Sequence, residues 1–168
     1  CHCDCERHVI VNTSNVNFVN TPTFNLPVGT NRYVLFMLAS ADFPNIVTIA
    51  GTVATMIVKI GNEDEAAAIW GANIPDSTAA GNYTITFDET CSVRKFIAVF
   101  TGVSRDPVVD SAAFRNGSSS SDGDTLTVDC VGGGWVHDIV FTGEAKTAGA
   151  NQTVIYNSTD NGVGVSYK

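Results

Sequence analysis

Hydrophobic positions along this chain either alternate with polar ones or gather in short blocks, and breaks rich in glycine, proline, serine and aspartate separate them. A period of two places successive side chains on opposite faces of a pleated strand. Over 82–88 the alternation is regular, so Tyr83, Ile85 and Phe87 are predicted to face one way and Thr84 and Thr86 the other. The run 33–40, apolar as far as Ala39, reads as a strand buried on both faces. Further strands are predicted over 9–11, 16–19, 45–50, 52–60, 93–101, 125–131, 135–142, 151–157 and 163–167, with Gly51 marking a turn or bulge between two of them. The best helical candidate is 63–70, where Glu63, Asp64 and Glu65 precede a run of alanines. Acidic residues favour a first helical turn, but Gly61 and Gly71 bracket a stretch barely two turns long, and 67–72 reads equally well as a strand. About ten short strands with regular turns predict an all-β fold, an antiparallel sandwich of jelly-roll-like form.

No break is long enough to separate two cores. Residues 1–20 are read as a cysteine-rich extension, and 21–168 as one β-sandwich domain. A low-complexity connection is expected over 116–124, and a triple glycine, 132–134, follows Cys130.

Composition narrows the setting. The chain has 168 residues, enough to bury a sizeable core. Charged residues make up 15% against 44% hydrophobic, leaving a polar but weakly charged surface that fits an extracellular or cell-surface β-protein. The net charge of −8 argues against nucleic acid, which is bound by clustered Lys and Arg. No apolar run is long enough to span a bilayer as a helix. The chain opens without Met, which implies a processed terminus and a targeting segment already removed.

The five cysteines are unevenly placed. Cys1, Cys3 and Cys5 alternate at the start, and Cys91 and Cys130 lie far along the chain. In an extended segment the first three point the same way. That suits intermolecular disulfides in an oxidising compartment. Two other readings stay open: a lipid anchor on Cys1, and a copper or zinc site formed by Cys1, His2, Cys3, Cys5 and His8. Zinc sites combine ligand pairs at wider spacing, whereas copper(I) tolerates soft, irregular ligation. Cys91 and Cys130 each sit at a strand end, where they would either staple two connections or receive a neighbour's thiols. Asn12, Asn82, Asn116, Asn151 and Asn157 each open an Asn-x-Ser/Thr sequon, making them candidates for glycosylation.

From Val28 onward the chain resembles a recurring β-sandwich module of secreted bacterial proteins and phage structural proteins. The segments that carry the resemblance are Val28-Gly29-Thr30-Asn31-Arg32, Ile69-Trp70 followed by Ala80 to Thr86, Phe100-Thr101-Gly102-Val103, Asn151 to Asn157, and the closing Ser166-Tyr167-Lys168. These are turn glycines, core aromatics and strand patterns, none of them a catalytic signature, so the resemblance implies a jelly-roll-like sandwich and says little about activity. Members of the module continue past the Tyr-Lys position with another strand, and this sequence stops at Lys168. The comparison therefore implies an open sheet edge, which is adhesive. A neighbouring chain is one source of a strand to fill it, with Val9, Ile10, Val11, Val16 and Phe18 as the donor segment. Folding of that segment into its own sandwich is the alternative.

Catalytic chemistry finds little purchase. His137 and Asp138 are adjacent strand residues facing opposite ways, and no serine lies in a Gly-x-Ser-x-Gly elbow. The carboxylates Glu63, Asp64 and Glu65, and Asp122 with Asp124, read as solvated loop charge, with a calcium ion near Asp122 as the lesser alternative. Trp70 and Trp135 sit among apolar neighbours and are expected in the core rather than on a sugar-stacking platform. The expectation is a non-enzymatic subunit of an extracellular filament or surface layer, its partner being further copies of itself. Its alternatives are a virion decoration or collar protein and a secreted carbohydrate- or metal-binding module.

Overall fold

The apolar run ending at Ala39 forms the middle of the largest sheet. The computed structural model describes residues 15–40, 43–61, 66–91, 93–103, 137–141, 153–157 and 163–167. Thirteen strands and no helix occur among them. A five-stranded antiparallel sheet is built from β1 (Asn15–Val19), β3 (Arg32–Ser40), β6 (Thr55–Gly61), β7 (Ala66–Ile74) and β10 (Val93–Phe100), in the order β1-β10-β3-β7-β6. Shorter strands make two further pairings: β2 (Thr23–Leu26) with β8 (Gly81–Thr84), and β4 (Val47–Ile49) between β5 (Thr52–Val53) and β9 (Thr86–Phe87). Ile85 joins β8 to β9, and its N–H donates to the Pro22 carbonyl at 2.7 Å, extending the β2–β8 ladder. A separate three-stranded sheet, β11 (His137–Phe141), β13 (Val163–Tyr167) and β12 (Thr153–Asn157), is likewise antiparallel.

The five-stranded sheet packs its inner face on the short strands. Val34, Phe36 and Leu38 of β3, Trp70 and Ala72 of β7, and Ile97 and Val99 of β10 share one buried cluster with Phe24, Leu26, Val47, Ile49 and Ile85 of the opposing layer. This is the sandwich expected from the strand pattern: two sheets with interdigitating inner faces. Cross-layer ring contacts tie it together, with Phe36 stacked on Phe87 at 6.0 Å between centroids. Each fully buried large side chain of this kind contributes about 1.5–3 kcal/mol. The opposite face of the same sheet is apolar too, since Met37, Phe96, Ala98 and Phe100 form a second buried cluster. Both faces of β3 and β10 are therefore buried, as the uninterrupted apolar run over 33–39 predicts. Alternation over 82–88 is also reproduced, with Ile85 buried, Tyr83 and Phe87 half-buried, and Thr84 and Thr86 exposed.

Two details go beyond the sequence pattern. The predicted strand over 52–60 divides at buried Ala54: β5 belongs to the second layer, while β6 belongs to the five-stranded sheet. Ala54 N–H donates to the Val47 carbonyl at 2.8 Å, which holds the corner. Ala50 and Gly51 both adopt positive φ, 48° and 80°, in the two-residue loop joining β4 to β5. Positive φ at both central residues matches the right-handed twist of a tight hairpin.

Arg32 opens β3 and is 2% exposed. Its Nη1 donates to the Pro27 carbonyl at 3.3 Å, and its Nη2 to the carbonyls of Pro75 and Thr78 at 3.0 and 2.6 Å. The side chain thus pins both loops at this end of the sandwich. Nearby, Asp76 accepts from the Asn31 N–H at 2.8 Å, and Gly102 N–H donates to Thr30 at 2.9 Å.

Candidate functional site

Among the described residues the five-stranded sheet is bounded by β1 and β6. There β1 forms one edge and pairs with β10 alone. Its registered partners are Asn15 with Lys95 and Val19 with Val93, with an irregularity between them. Four residue steps of β1 therefore face two of β10, whereas β3 pairs residue for residue with β10 from Tyr33 to Ser40. Ladder hydrogen bonds and cross-strand pairs stabilise a strand in its slot, and in β1 the irregularity interrupts that regular pairing.

β1 reaches β2 through Asn20, Thr21 and Pro22. Asn20 and Thr21 are exposed, while Pro22 is buried and its carbonyl is held by Ile85. Proline also restricts the residue before it to extended conformations. The hinge between the sheet edge and the second layer is thus two exposed residues long. Across from it, the Lys95 ammonium donates to the Thr23 carbonyl at 3.1 Å, linking β10 to the first residue of β2. Partial burial of this group pulls its pKa below the usual lysine value.

Of the predicted donor residues, Val16 and Phe18 lie in β1, paired with β10 of the same chain. Folding back onto β10 is the arrangement seen for 15–19. Val9, Ile10 and Val11 lie outside the described residues, as do Cys1, His2, Cys3, Cys5, His8 and Cys130. Asn12, Asn116, Asn151, Trp135, Glu63, Asp64, Glu65, Asp122 and Asp124 also lie outside them.

Cys91 is 2% exposed and packs in the main core cluster; its expected partner within the domain, Cys130, lies outside the described residues. Trp70 is a core residue, 4% exposed, stacked on Phe43 at 6.2 Å, with the Lys59 ammonium 3.9 Å from the other aromatic centroid. Buried in this way, Trp70 offers no stacking face for a sugar. Asn82 is exposed on β8, and its Oδ1 accepts from Asn25 Nδ2 at 3.0 Å. His137 and Asp138 are consecutive in β11, opposite Tyr167 and Ser166, and Asn157 closes β12. Among the described residues no three His, Cys, Asp or Glu side chains gather as metal ligands.

The other edge carries a feature that the sequence pattern did not single out. On β7, Gly71 occupies a mid-strand position, and the Tyr33 phenol crosses directly over it. Thr55 pairs with Gly71, and β6 is irregular between Met56 and Val58, which turns Ile57 towards the same spot. Tyr33, Gly71, Thr52, Thr55, Ile57 and Asn73 line an open groove of about 320 Å³. Burial raises the Tyr33 pKa, so the phenol stays protonated through neutral pH. The available signal was Gly71 itself, because glycine inside a strand commonly marks a close approach.

No protein-family model matches the chain, and neither the curated proteins nor the solved structures contain a match to it.

Proposed function

We propose that the chain is a structural subunit of an extracellular polymer, in which β1 is exchanged between neighbouring copies and Cys1, Cys3 and Cys5 add covalent links. The observation that carries this reading is the β1 slot: an edge strand with two registered pairs, attached through a two-residue exposed hinge. Exchange of an element between identical chains preserves all of its contacts, so it costs little beyond the hinge. Short, constrained hinges favour the exchanged form. Reciprocal exchange closes a dimer, and head-to-tail exchange propagates a filament. The three cysteines precede β1 in sequence, so a strand placed in a neighbour carries its thiols to that neighbour. Disulfides persist only where conditions are oxidising, which places the assembly outside the cytosol or on a surface.

Denaturing electrophoresis with and without reductant, paired with electron microscopy, tests the proposal. It requires reductant-sensitive ladders and extended assemblies, and it requires that C1S/C3S/C5S abolish the ladders while leaving the assemblies visible. Single particles and a monomer band without reductant would overturn it.

A further inference from the structure

The groove beside Gly71 lies at the sheet edge opposite β1, and the assembly reading makes no use of it. We propose that it binds a neutral saccharide ring. Its volume of about 320 Å³ falls at the small end of ligand pockets, which run from about 300 to 1,000 Å³. The described lining offers hydroxyls from Tyr33, Thr52 and Thr55 beside the apolar side chains of Ile57 and Val53. Val53 is 67% exposed, which leaves its methyls available at the rim. Neutral hydrogen-bonding groups next to apolar surface match a sugar ring, which has hydroxyls around its edge and C–H groups on its faces.

Charge removes the competing ligand classes. Among the described lining residues there is neither a cation to hold a carboxylate or phosphate nor a carboxylate to hold a metal or ammonium group. The net charge of −8 further opposes anions.

Tyr33 supplies the specific argument. A half-buried tyrosine hydroxyl ordinarily finds a hydrogen-bond partner, and this one has none among the described residues. Gly71 allows the ring to lie across the strand, and the β6 irregularity opens the space beside it. Both features weaken the sheet locally: mid-strand glycine is destabilising relative to alanine, and bulges recur beside functional sites. Together they expose one oriented hydroxyl at the groove floor.

The test is NMR titration of the full ¹⁵N-labelled chain, kept reduced, with methyl glycosides of glucose, galactose, mannose and N-acetylglucosamine. Sodium acetate and sodium phosphate run as parallel probes. At least one glycoside is expected to give saturable shifts confined to the amides around Tyr33, Thr55, Gly71 and Asn73. Tyr33→Phe keeps the ring and removes the hydroxyl, and is expected to weaken binding about two- to tenfold. Thr55→Val, at an exposed position, provides a second reading that does not disturb the core. The proposal is overturned if no glycoside shifts these amides, if the shifts scatter over the surface, if acetate or phosphate binds there more tightly, or if both variants bind like the parent. The assembly is tested separately by the electrophoresis and microscopy above, so failure of this proposal is distinguishable from failure of that reading.

Discussion

The Tyr33 phenol occupies the space that a side chain at Gly71 would need. A Cβ built at position 71 would lie 2.7 Å from Tyr33 Cζ and 3.0 Å from Ile57 Cδ1, and closer still to the tyrosine hydroxyl. Two side chains from neighbouring strands thus depend on one missing methyl.

Gly71→Ala is therefore expected to destabilise the fold by about 1–3 kcal/mol, the usual cost of overpacking. Tyr33→Ala should relieve much of that cost, so the double variant will be more stable than the sum of the singles predicts. A double-mutant cycle from denaturant unfolding measures the coupling. Additive effects would show that the phenol does not pack over position 71.

Arg32 holds three backbone carbonyls from two loops. Arg32→Met keeps the stem and removes every donor, leaving those carbonyls without the partner they have here. The expected loss is about 2–4 kcal/mol. Hydrogen exchange should show the loosening first at 75–78, ahead of β3 itself.

Ala50 sits at φ 48° beside Gly51 in the β4–β5 hairpin. Left-handed conformations burden residues that carry a Cβ, and Asn and Gly tolerate them best. Ala50→Asn is expected to stabilise the protein by about 0.5–1 kcal/mol, read as a rise in the thermal midpoint with an unchanged fold.

Alkaline pH separates two opposing contributions. Burial raises the Tyr33 pKa above its usual 10.0, so the unfolded chain loses that proton first. Tyr33 therefore lowers stability as pH climbs through 10.0 towards the raised folded value. Lys95 runs the other way. Its pKa is lowered from 10.5 by desolvation, so the unfolded chain binds more protons there, and stability rises with pH up to 10.5. Unfolding followed against pH should show Tyr33→Phe gaining on the parent above 10.0 and Lys95→Met losing on it over the window below 10.5. Parallel curves for parent and variants would contradict both assignments.

Much of the fold is legible in the sequence because burial sets the period. Tyr83, Ile85 and Phe87 reveal their face by alternation, and the run to Ala39 reveals two buried faces by having no polar member. Thr23–Leu26 alternates as well, but Pro22 and Pro27 leave it only four residues, below the length at which a pattern stands out. The division at Ala54 is invisible because a corner between layers depends on which strands flank it. Arg32 and the groove share one difficulty: each joins groups on strands distant in sequence, and periodicity describes only one strand at a time. Gly71 was the single local hint. For the proposed assembly site, the sequence supplies the cysteines and the β-prone N-terminal segment, while the irregular register of β1 and its hinge emerge only from pairing.

Asn15 and Lys95 face each other across the β1–β10 edge, and that register allows the central claim to be tested directly. Cross-strand partners in an antiparallel pair lie about 4.5–5.5 Å apart at Cα, within the reach of a disulfide. Two chains lacking Cys1, Cys3 and Cys5 would be made, one with Asn15→Cys and one with Lys95→Cys, then mixed, oxidised and resolved without reductant. Strand exchange predicts a heterodimer that forms only in the mixture and disappears on reduction. If the mixture stays monomeric while a chain carrying both substitutions cross-links within itself, β1 never leaves its own sandwich and the assembly account is wrong.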